Sequence, residues 1–188
     1  TETPMESAWR EARIARIYEG TNEINKLVII GMIIKKALKG HLNLIEKAEE
    51  VASELTEIPS FEIPEFDELF GEEKYVIKNL KKVFLMLAGA GMKKFGMDLE
   101  KEQEVLLRIS EIIIEIYMSE SAILRTEKNS KRFGPEKYLS QIAMSKLYLY
   151  ESCELIIKKS KELIVSLSNG TEQKFLLSGL KRFTKYFN

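Results

Sequence analysis

One glutamate near the start of the chain stands where a carboxylate could act as a base. Glu19 precedes Gly20, and Thr21 and Asn22 then open a long apolar segment. This order predicts a short non-helical turn that places the carboxylate just before a helix N-terminus, where backbone N–H groups are free to donate. Such a site could remove a proton next to a carbonyl group and stabilise the negative charge that develops.

A simpler interpretation of the same residues is the start of a helix. Thr21 or Asn22 would be the N-cap, Glu23 would complement the helix dipole, and Gly20 would allow a tight entry into the helix. Spacing alone favours this interpretation, because such residues commonly begin helices. The two interpretations do not exclude each other.

Residues 16–24, with the sequence R-I-Y-E-G-T-N-E-I, resemble the catalytic-base segment of the flavin-dependent acyl-CoA dehydrogenases. Residues 4–14 resemble the short helix that leads into that segment. The resemblance implies that Glu19 is the general base that takes the α-proton of an acyl-CoA thioester. It also implies that Gly20 leaves room for the substrate, and that Thr21, Asn22 and Glu23 contact FAD.

The chain continues far beyond the helix at which most members of that family end. This extension, most clearly in residues 94–109 and 115–125, resembles the C-terminal domain of the very-long-chain acyl-CoA dehydrogenases. The resemblance implies long-chain acyl-CoA substrates in fatty-acid β-oxidation, an electron-accepting flavoprotein as partner, and a homodimer. It leaves open a peripheral contact with a membrane.

Composition narrows the remaining classes of function. The 29 basic and 29 acidic residues balance, which gives no reason to expect nucleic-acid binding. The single cysteine, Cys153, excludes an internal disulfide and reads as a packed side chain. His41 is the only histidine, and no ligand cluster surrounds it in sequence, so no metal site is assigned. We expect a cytoplasmic protein from a bacterial source.

The chain begins without a methionine, and the flavin-holding domains of the family precede the segment that it matches. We therefore expect a C-terminal fragment that, alone, neither retains FAD nor dehydrogenates a substrate. An alternative from another class is a structural helical module for dimer, partner or membrane-surface contact, with no chemistry of its own.

Apolar residues at three- and four-residue spacing predict an all-α fold, an antiparallel up-down bundle of long helices. Residues 1–39 would be the end of the catalytic domain, 40–71 a helix and an acidic linker, and 72–188 the bundle extension. The helices predicted after the short first one are 21–39, 42–55, 72–95, 98–132, 135–167 and 171–186. The helix at 21–39 is apolar nearly all round, which predicts partners on several sides.

Two finer predictions concern which side chains are covered. The spacing places Tyr117 and Leu124 on the inner face of the helix 98–132. It does the same for Leu139, Leu147 and Tyr150 in the helix 135–167. In the linker, the three phenylalanines could insert into a lipid interface or could instead hold the linker against the bundle; they are Phe61, Phe66 and Phe70.

Overall fold

A computed structural model describes residues 4–58 and 64–185, and its regular structure in these ranges is entirely helical. The α-helices are α1 (Met5–Ala15), α2 (Asn22–Leu38), α3 (Leu44–Thr56), α4 (Gly71–Phe95), α5 (Gln103–Phe133), α6 (Leu139–Leu167) and α7 (Gly170–Phe183). Two short 3-10 helices, Gly96–Lys101 and Pro135–Tyr138, precede α5 and α6. The predicted all-α class is confirmed.

Contacts between helix ends show the up-down order of α4 to α7. The start of α4 meets the end of α5, where Lys74 pairs with Glu127 at 2.7 Å. The end of α4 meets the start of α7, where Lys93 pairs with Glu172 at 3.2 Å. Lys146 near the start of α6 pairs with Glu73 near the start of α4. Neighbours along the chain therefore run in opposite directions, as the short joins predict.

The core lies between these four helices and continues under α2 and α3. Helix α2 packs on α5, and α3 packs on α4. Large aliphatic side chains that are fully covered supply most of it; among them are Leu80, Leu87, Ile109, Ile116, Ile123, Leu149 and Ile156. Burial of such apolar area is the main stabilising contribution to a bundle of this kind.

Two predicted helices begin later than expected. The helix predicted from residue 98 begins at Gln103, because the chain first forms the 3-10 turn after Gly96 and then breaks at Glu102, whose ψ of 69° is not helical. The helix predicted from Pro135 begins at Leu139, after its own 3-10 turn.

Five apolar side chains of α5 and α6 that were predicted to face inward are exposed. Tyr117 and Leu124 in α5 are 67% and 49% exposed, and Leu139, Leu147 and Tyr150 in α6 are all more than half exposed. These five predictions were wrong, although other apolar residues of the same helices, such as Ile116 and Ile156, are buried. Both helices carry apolar residues on more than one side, so spacing alone did not show where the buried side ends.

The linker phenylalanines that the structure describes pack against protein. Phe70 is fully buried, and the ring of Phe66 lies 5.6 Å from the ring of Tyr75. Insertion of Phe70 into lipid is therefore contradicted, and the pinning interpretation holds for these two residues. Phe61 lies outside the described residues.

Helix α2 is covered on one side. Ile30 is buried and Leu27, Ile33 and Ile34 pack against the core, whereas Ile24, Val28 and Met32 remain about half exposed. Partners on several sides were predicted, and within residues 4–58 and 64–185 only one side has them.

Candidate functional site

Glu19 lies in a short turn between α1 and α2. The turn is closed by backbone hydrogen bonds from the N–H of Ile17 to the carbonyl of Ile14, at 2.9 Å, and from the N–H of Asn22 to the carbonyl of Arg16, at 3.2 Å. Glu19 has a φ of 58° and is the one non-glycine residue of the described ranges with a positive φ. A non-glycine residue whose backbone is held in the left-handed region is uncommon, and such residues are enriched at functional sites.

Gly20 continues the turn with a φ of 94°, which L side chains rarely adopt. Its carbonyl accepts a hydrogen bond of 2.9 Å from the side-chain amide of Asn25 in α2. A Cβ atom at residue 20 would lie 3.1 Å from Oδ1 of the same side chain. The glycine is thus required by the turn itself, and Asn25 joins the turn to the helix that follows.

Thr21 is the N-cap of α2. Its hydroxyl oxygen accepts a hydrogen bond of 3.4 Å from the N–H of Ile24, and Glu23 is the acidic residue of the first turn. The helix-start interpretation of Thr21 and Glu23 is confirmed. Thr21 and Asn22 are half-buried and Glu23 is exposed. The three residues that the resemblance assigned to FAD are therefore consecutive at one helix end, directly after Glu19.

The turn is open to solvent on its outer side. Glu19 is exposed, Tyr18 and Trp9 are at least half exposed, and no residue of α1 is buried. A carboxylate that takes a proton from carbon works best where water is excluded. The described residues therefore supply the base and one wall around it, and a reactive pocket would need a further surface.

A cluster of charged side chains lies close to this turn, and sequence reasoning missed it. Glu111 in α5 accepts hydrogen bonds from Lys26 in α2 at 2.9 Å and from Arg108 at 3.1 Å, and it pairs with Lys159 in α6 at 3.2 Å. Burial by itself would raise the pKa of Glu111, and the hydrogen bonds from Lys26, Lys159 and Arg108 outweigh burial and lower its pKa to about 2. Only the spacing of Arg108 and Glu111 on one helix face was visible in the sequence.

An apolar cleft of about 830 Å³ lies between α2, α3, α4 and α7. Its walls are mainly aliphatic, and its residues include Ile33, Ile34, Leu44, Ala48, Leu85 and Leu176. Lys93, Glu49 and Glu172 are among its charged lining residues. Sequence reasoning did not anticipate this cleft, because it depends on the distance between helices that are remote in the chain.

Other kinds of site have less support in the structure. In the two described ranges, no three His, Cys, Asp or Glu side chains come together as metal ligands. Cys153 is buried in α6, and burial raises the pKa of its thiol to about 12, with a further contribution from Glu154. No helix in the described part of the chain combines the length and the apolar character that a membrane crossing needs.

Comparison with known proteins gives consistent similarities. Residues 79–182 match the family model described as "Acyl-CoA dehydrogenase, C-terminal domain". The chain is 37% identical over 186 residues to the "Probable acyl-CoA dehydrogenase" of Bacillus subtilis (strain 168), covering 98% of this chain and 31% of the relative. It is 54% identical over 35 residues to the human "Short-chain specific acyl-CoA dehydrogenase, mitochondrial", covering 19% of this chain and 8% of the relative.

A solved structure is similar over the whole chain. It is the crystal structure of an acyl-CoA dehydrogenase complexed with FAD from Bacillus anthracis, with a TM-score of 0.86 and 38% sequence identity. The match covers 100% of this chain and 31% of that one. The chain thus spans about a third of the length of these two bacterial relatives.

Proposed function

The chain belongs to the acyl-CoA dehydrogenase family, and we propose that it is the C-terminal part of an FAD-dependent enzyme that oxidises the Cα–Cβ bond of acyl-CoA thioesters. Glu19 is the general base in this proposal. Its carboxylate takes the α-proton, and the electron pair of that C–H bond becomes the second bond between Cα and Cβ. FAD, when bound, supplies the oxidising equivalent by accepting the β-hydrogen as hydride.

The backbone of Glu19 is the observation that carries this proposal. A left-handed φ at a glutamate costs on the order of 1 kcal/mol or more relative to an ordinary conformation, and a helix start does not require it. An N-cap needs only an oxygen acceptor, and Thr21 already supplies it. The conformation of Glu19 therefore remains unexplained by the helix start, and a role for its carboxylate in chemistry accounts for it.

The residues after Glu19 fit one edge of an FAD site. The start of α2 offers the positive end of a helix dipole, which suits a phosphate or a ribose oxygen. Thr21 and Asn22 add a hydroxyl and an amide there. The carboxylate of Glu23 suits a ribose hydroxyl rather than a phosphate, because two negative charges would repel each other. These three residues would hold one part of the cofactor, and the remaining contacts would come from chain outside the described helices.

Several parts of the proposal rest on the sequence alone, either on its resemblance to the family or, for the cytoplasmic location, on its composition. They are the long-chain type of substrate, the homodimer, the electron-accepting flavoprotein and the cytoplasmic location. The FAD in the Bacillus anthracis structure supports the cofactor at family level. The division into residues 1–39, 40–71 and 72–188 is likewise a proposal, in which the first segment carries the chemistry and the last completes the fold.

The experiment compares variants of the whole dehydrogenase that contains this chain. Glu19→Gln keeps the size of the side chain and removes its basic form. We expect it to retain the absorbance of bound FAD and to lose at least about 100-fold in the rate of flavin bleaching by a long-chain acyl-CoA. Glu46→Gln, at an exposed position of α3, is the matched control and should bleach like wild type. Undiminished bleaching by Glu19→Gln would contradict the base assignment and leave only the helix-start interpretation of the turn.

A related prediction concerns the 188-residue chain by itself. Since its described helices supply only one wall of the site, we expect purified chain to be colourless and to show no dehydrogenation of acyl-CoA. The visible absorbance spectrum of the chain, recorded after incubation with FAD and desalting, tests the first statement, because a bound flavin colours the protein yellow. A yellow preparation would contradict it.

A role in assembly is the second candidate function for the bundle. It is favoured by the outer face of α6, on which Leu139, Leu147 and Tyr150 are exposed. Such a face suits contact with another protein surface and needs no chemistry of its own. The two functions are compatible, since one concerns residues 1–39 and the other residues 72–188.

A further inference from the structure

We propose that Glu111 is a positioning residue for the Glu19 turn, acting through Lys26 of α2. This inference rests on the proposed function, because it assigns to the bundle a part in holding the base. It concerns a residue of α5 whose polar partners are Lys26, Arg108 and Lys159 rather than Glu19 or the residues assigned to FAD. Its effect on the reaction would be indirect, through the place at which α2 begins.

The turn that carries Glu19 is held from the side of α2. Helix α1, which precedes the turn, has no buried residue. On the other side, the N–H of Asn22 donates to the carbonyl of Arg16 at 3.2 Å. The side chain of Asn25 donates to the carbonyl of Gly20 at 2.9 Å. The position of the Glu19 backbone therefore follows the position of the first turn of α2.

The first turn of α2 is fixed to the bundle by Lys26. Ile30 is the first buried residue of α2, and it lies more than two helical turns beyond Thr21. Closer to the turn, Ile24 and Val28 are exposed and Leu27 is partly buried. Lys26, adjacent to Asn25, reaches Glu111 across the gap between helices. This ion pair is thus a fixed point of α2 close to the base.

Glu111 is itself held in place by two further cations. Arg108 and Lys159 bind the carboxylate oxygen that Lys26 does not contact. Both cations also lie within 4.0 Å of Glu162, which offsets part of their charge. The side chains of Lys26, Glu111 and Lys159 are each less than 30% exposed. A carboxylate bound by two cations on two helices is a rigid acceptor for the lysine on a third.

Hydrogen exchange on the 188-residue chain tests the geometric part. Lys26→Met and Glu111→Gln should raise the exchange rates of the Asn22 and Asn25 amides about fivefold to tenfold, since a hydrogen bond to a charged group is lost. Lys82→Met is the matched control. It removes an ion pair of 2.6 Å with Glu54, of similar exposure, between α3 and α4. Equal effects of all three variants, or no effect of the first two, would overturn the proposal.

Kinetics on the whole dehydrogenase test the catalytic part. Lys26→Met and Glu111→Gln should lower the rate constant of flavin reduction about tenfold and leave the KM for acyl-CoA within about twofold, because the base is misplaced while the substrate site is kept. Lys26→Arg keeps the positive charge and should therefore retain most of the wild-type rate, and Lys82→Met should not change the rate. A general loss of stability would lower the rate constant of Lys82→Met as well, and Lys26→Arg would then be as slow as Lys26→Met.

Glu19→Gln, measured in parallel, separates the two proposals. If Glu19→Gln abolishes flavin reduction while Lys26→Met and Glu111→Gln match wild type, the positioning proposal fails and the base assignment stands. If Glu19→Gln reduces flavin at the wild-type rate, the base assignment fails, and with it the catalytic meaning of the ion pair. The exchange rates would still report whether Glu111 fixes the start of α2.

Discussion

At the scale of single residues, Glu111 links folding to acid pH. Its pKa is lowered to about 2 in the folded chain, whereas an unfolded glutamate titrates near about 4.3. Folding therefore favours the charged form. The resulting stabilisation is fully present above the unfolded pKa and is lost as pH falls through the folded pKa. Between about pH 4.5 and pH 2 the protein should lose this contribution.

Glu111→Gln makes this prediction measurable. We expect the variant to be less stable than wild type at pH 7, and the difference in free energy of unfolding to shrink as pH falls from 5 toward 2. Urea unfolding at a series of pH values provides the measurement. The difference between the two proteins is the relevant quantity, because Glu127, whose pKa is also lowered by Lys131 and Lys74, contributes equally to both. A difference that stays constant with pH would contradict the prediction.

Cys153 offers a second test at this scale. Its thiol is buried, and its pKa is raised to about 12. Since the thiolate is the reactive form, alkylation of the folded chain by iodoacetamide at pH 8 should be slower than alkylation of the unfolded chain by at least about 100-fold. Mass spectrometry with and without urea measures the two rates. Rapid modification of the folded chain would mean that the packing around Cys153 opens readily.

At the scale of elements, Phe70 packs the end of the linker against the bundle. The side chain of Phe70 is fully buried, whereas that of the adjacent Leu69 is 41% exposed. Phe70→Ala should therefore lower the free energy of unfolding by about 3–5 kcal/mol. Leu69→Ala, the matched control, should cost about 1 kcal/mol or less. Urea unfolding distinguishes them, and similar costs for the two variants would show that the linker packs differently.

The elements themselves were largely predictable, and the limits of their buried faces were not. The ends of α5 and α6 were predicted to within one residue, because Gly134, Pro135 and Gly170 follow them and glycine and proline act through local backbone geometry. The exposure of Leu147 and Tyr150 could not be read in this way, because it depends on which neighbouring helix α6 meets. Apolar residues on several sides of a helix are compatible with more than one rotation.

The same distinction applies to the site. The turn at Glu19 and the cap at Thr21 are local, so residue types and spacing predicted both. The pairing of Lys26 with Glu111 joins residues that are 85 positions apart. No local signal marks such a pair, since the sequence contains many lysines and glutamates on exposed helix faces. Only the packing of α2 on α5 selects these two.

At the scale of the whole molecule, two of the apolar faces exposed in the described part of the chain bear on function. One is the outer face of α2, which carries Val28 and Met32, and the other is the outer face of α6, which carries Leu147 and Tyr150. The two proposed functions differ in which face should form a protein–protein contact. If the chain is part of a larger dehydrogenase, the α2 face is the one that the rest of the enzyme covers. If the bundle serves assembly, the α6 face is the contact.

We expect the 188-residue chain to self-associate through the α2 face, because apolar area left in contact with water favours association. Val28→Glu with Met32→Glu should shift the chain toward monomer in sedimentation velocity at micromolar concentration. Leu147→Glu with Tyr150→Glu, placed on an equally exposed helix face, should leave its association unchanged. The opposite result would show that the chain associates through α6 and would favour the assembly role. A wild-type chain that is monomeric throughout would contradict both, and would show that neither face needs a partner.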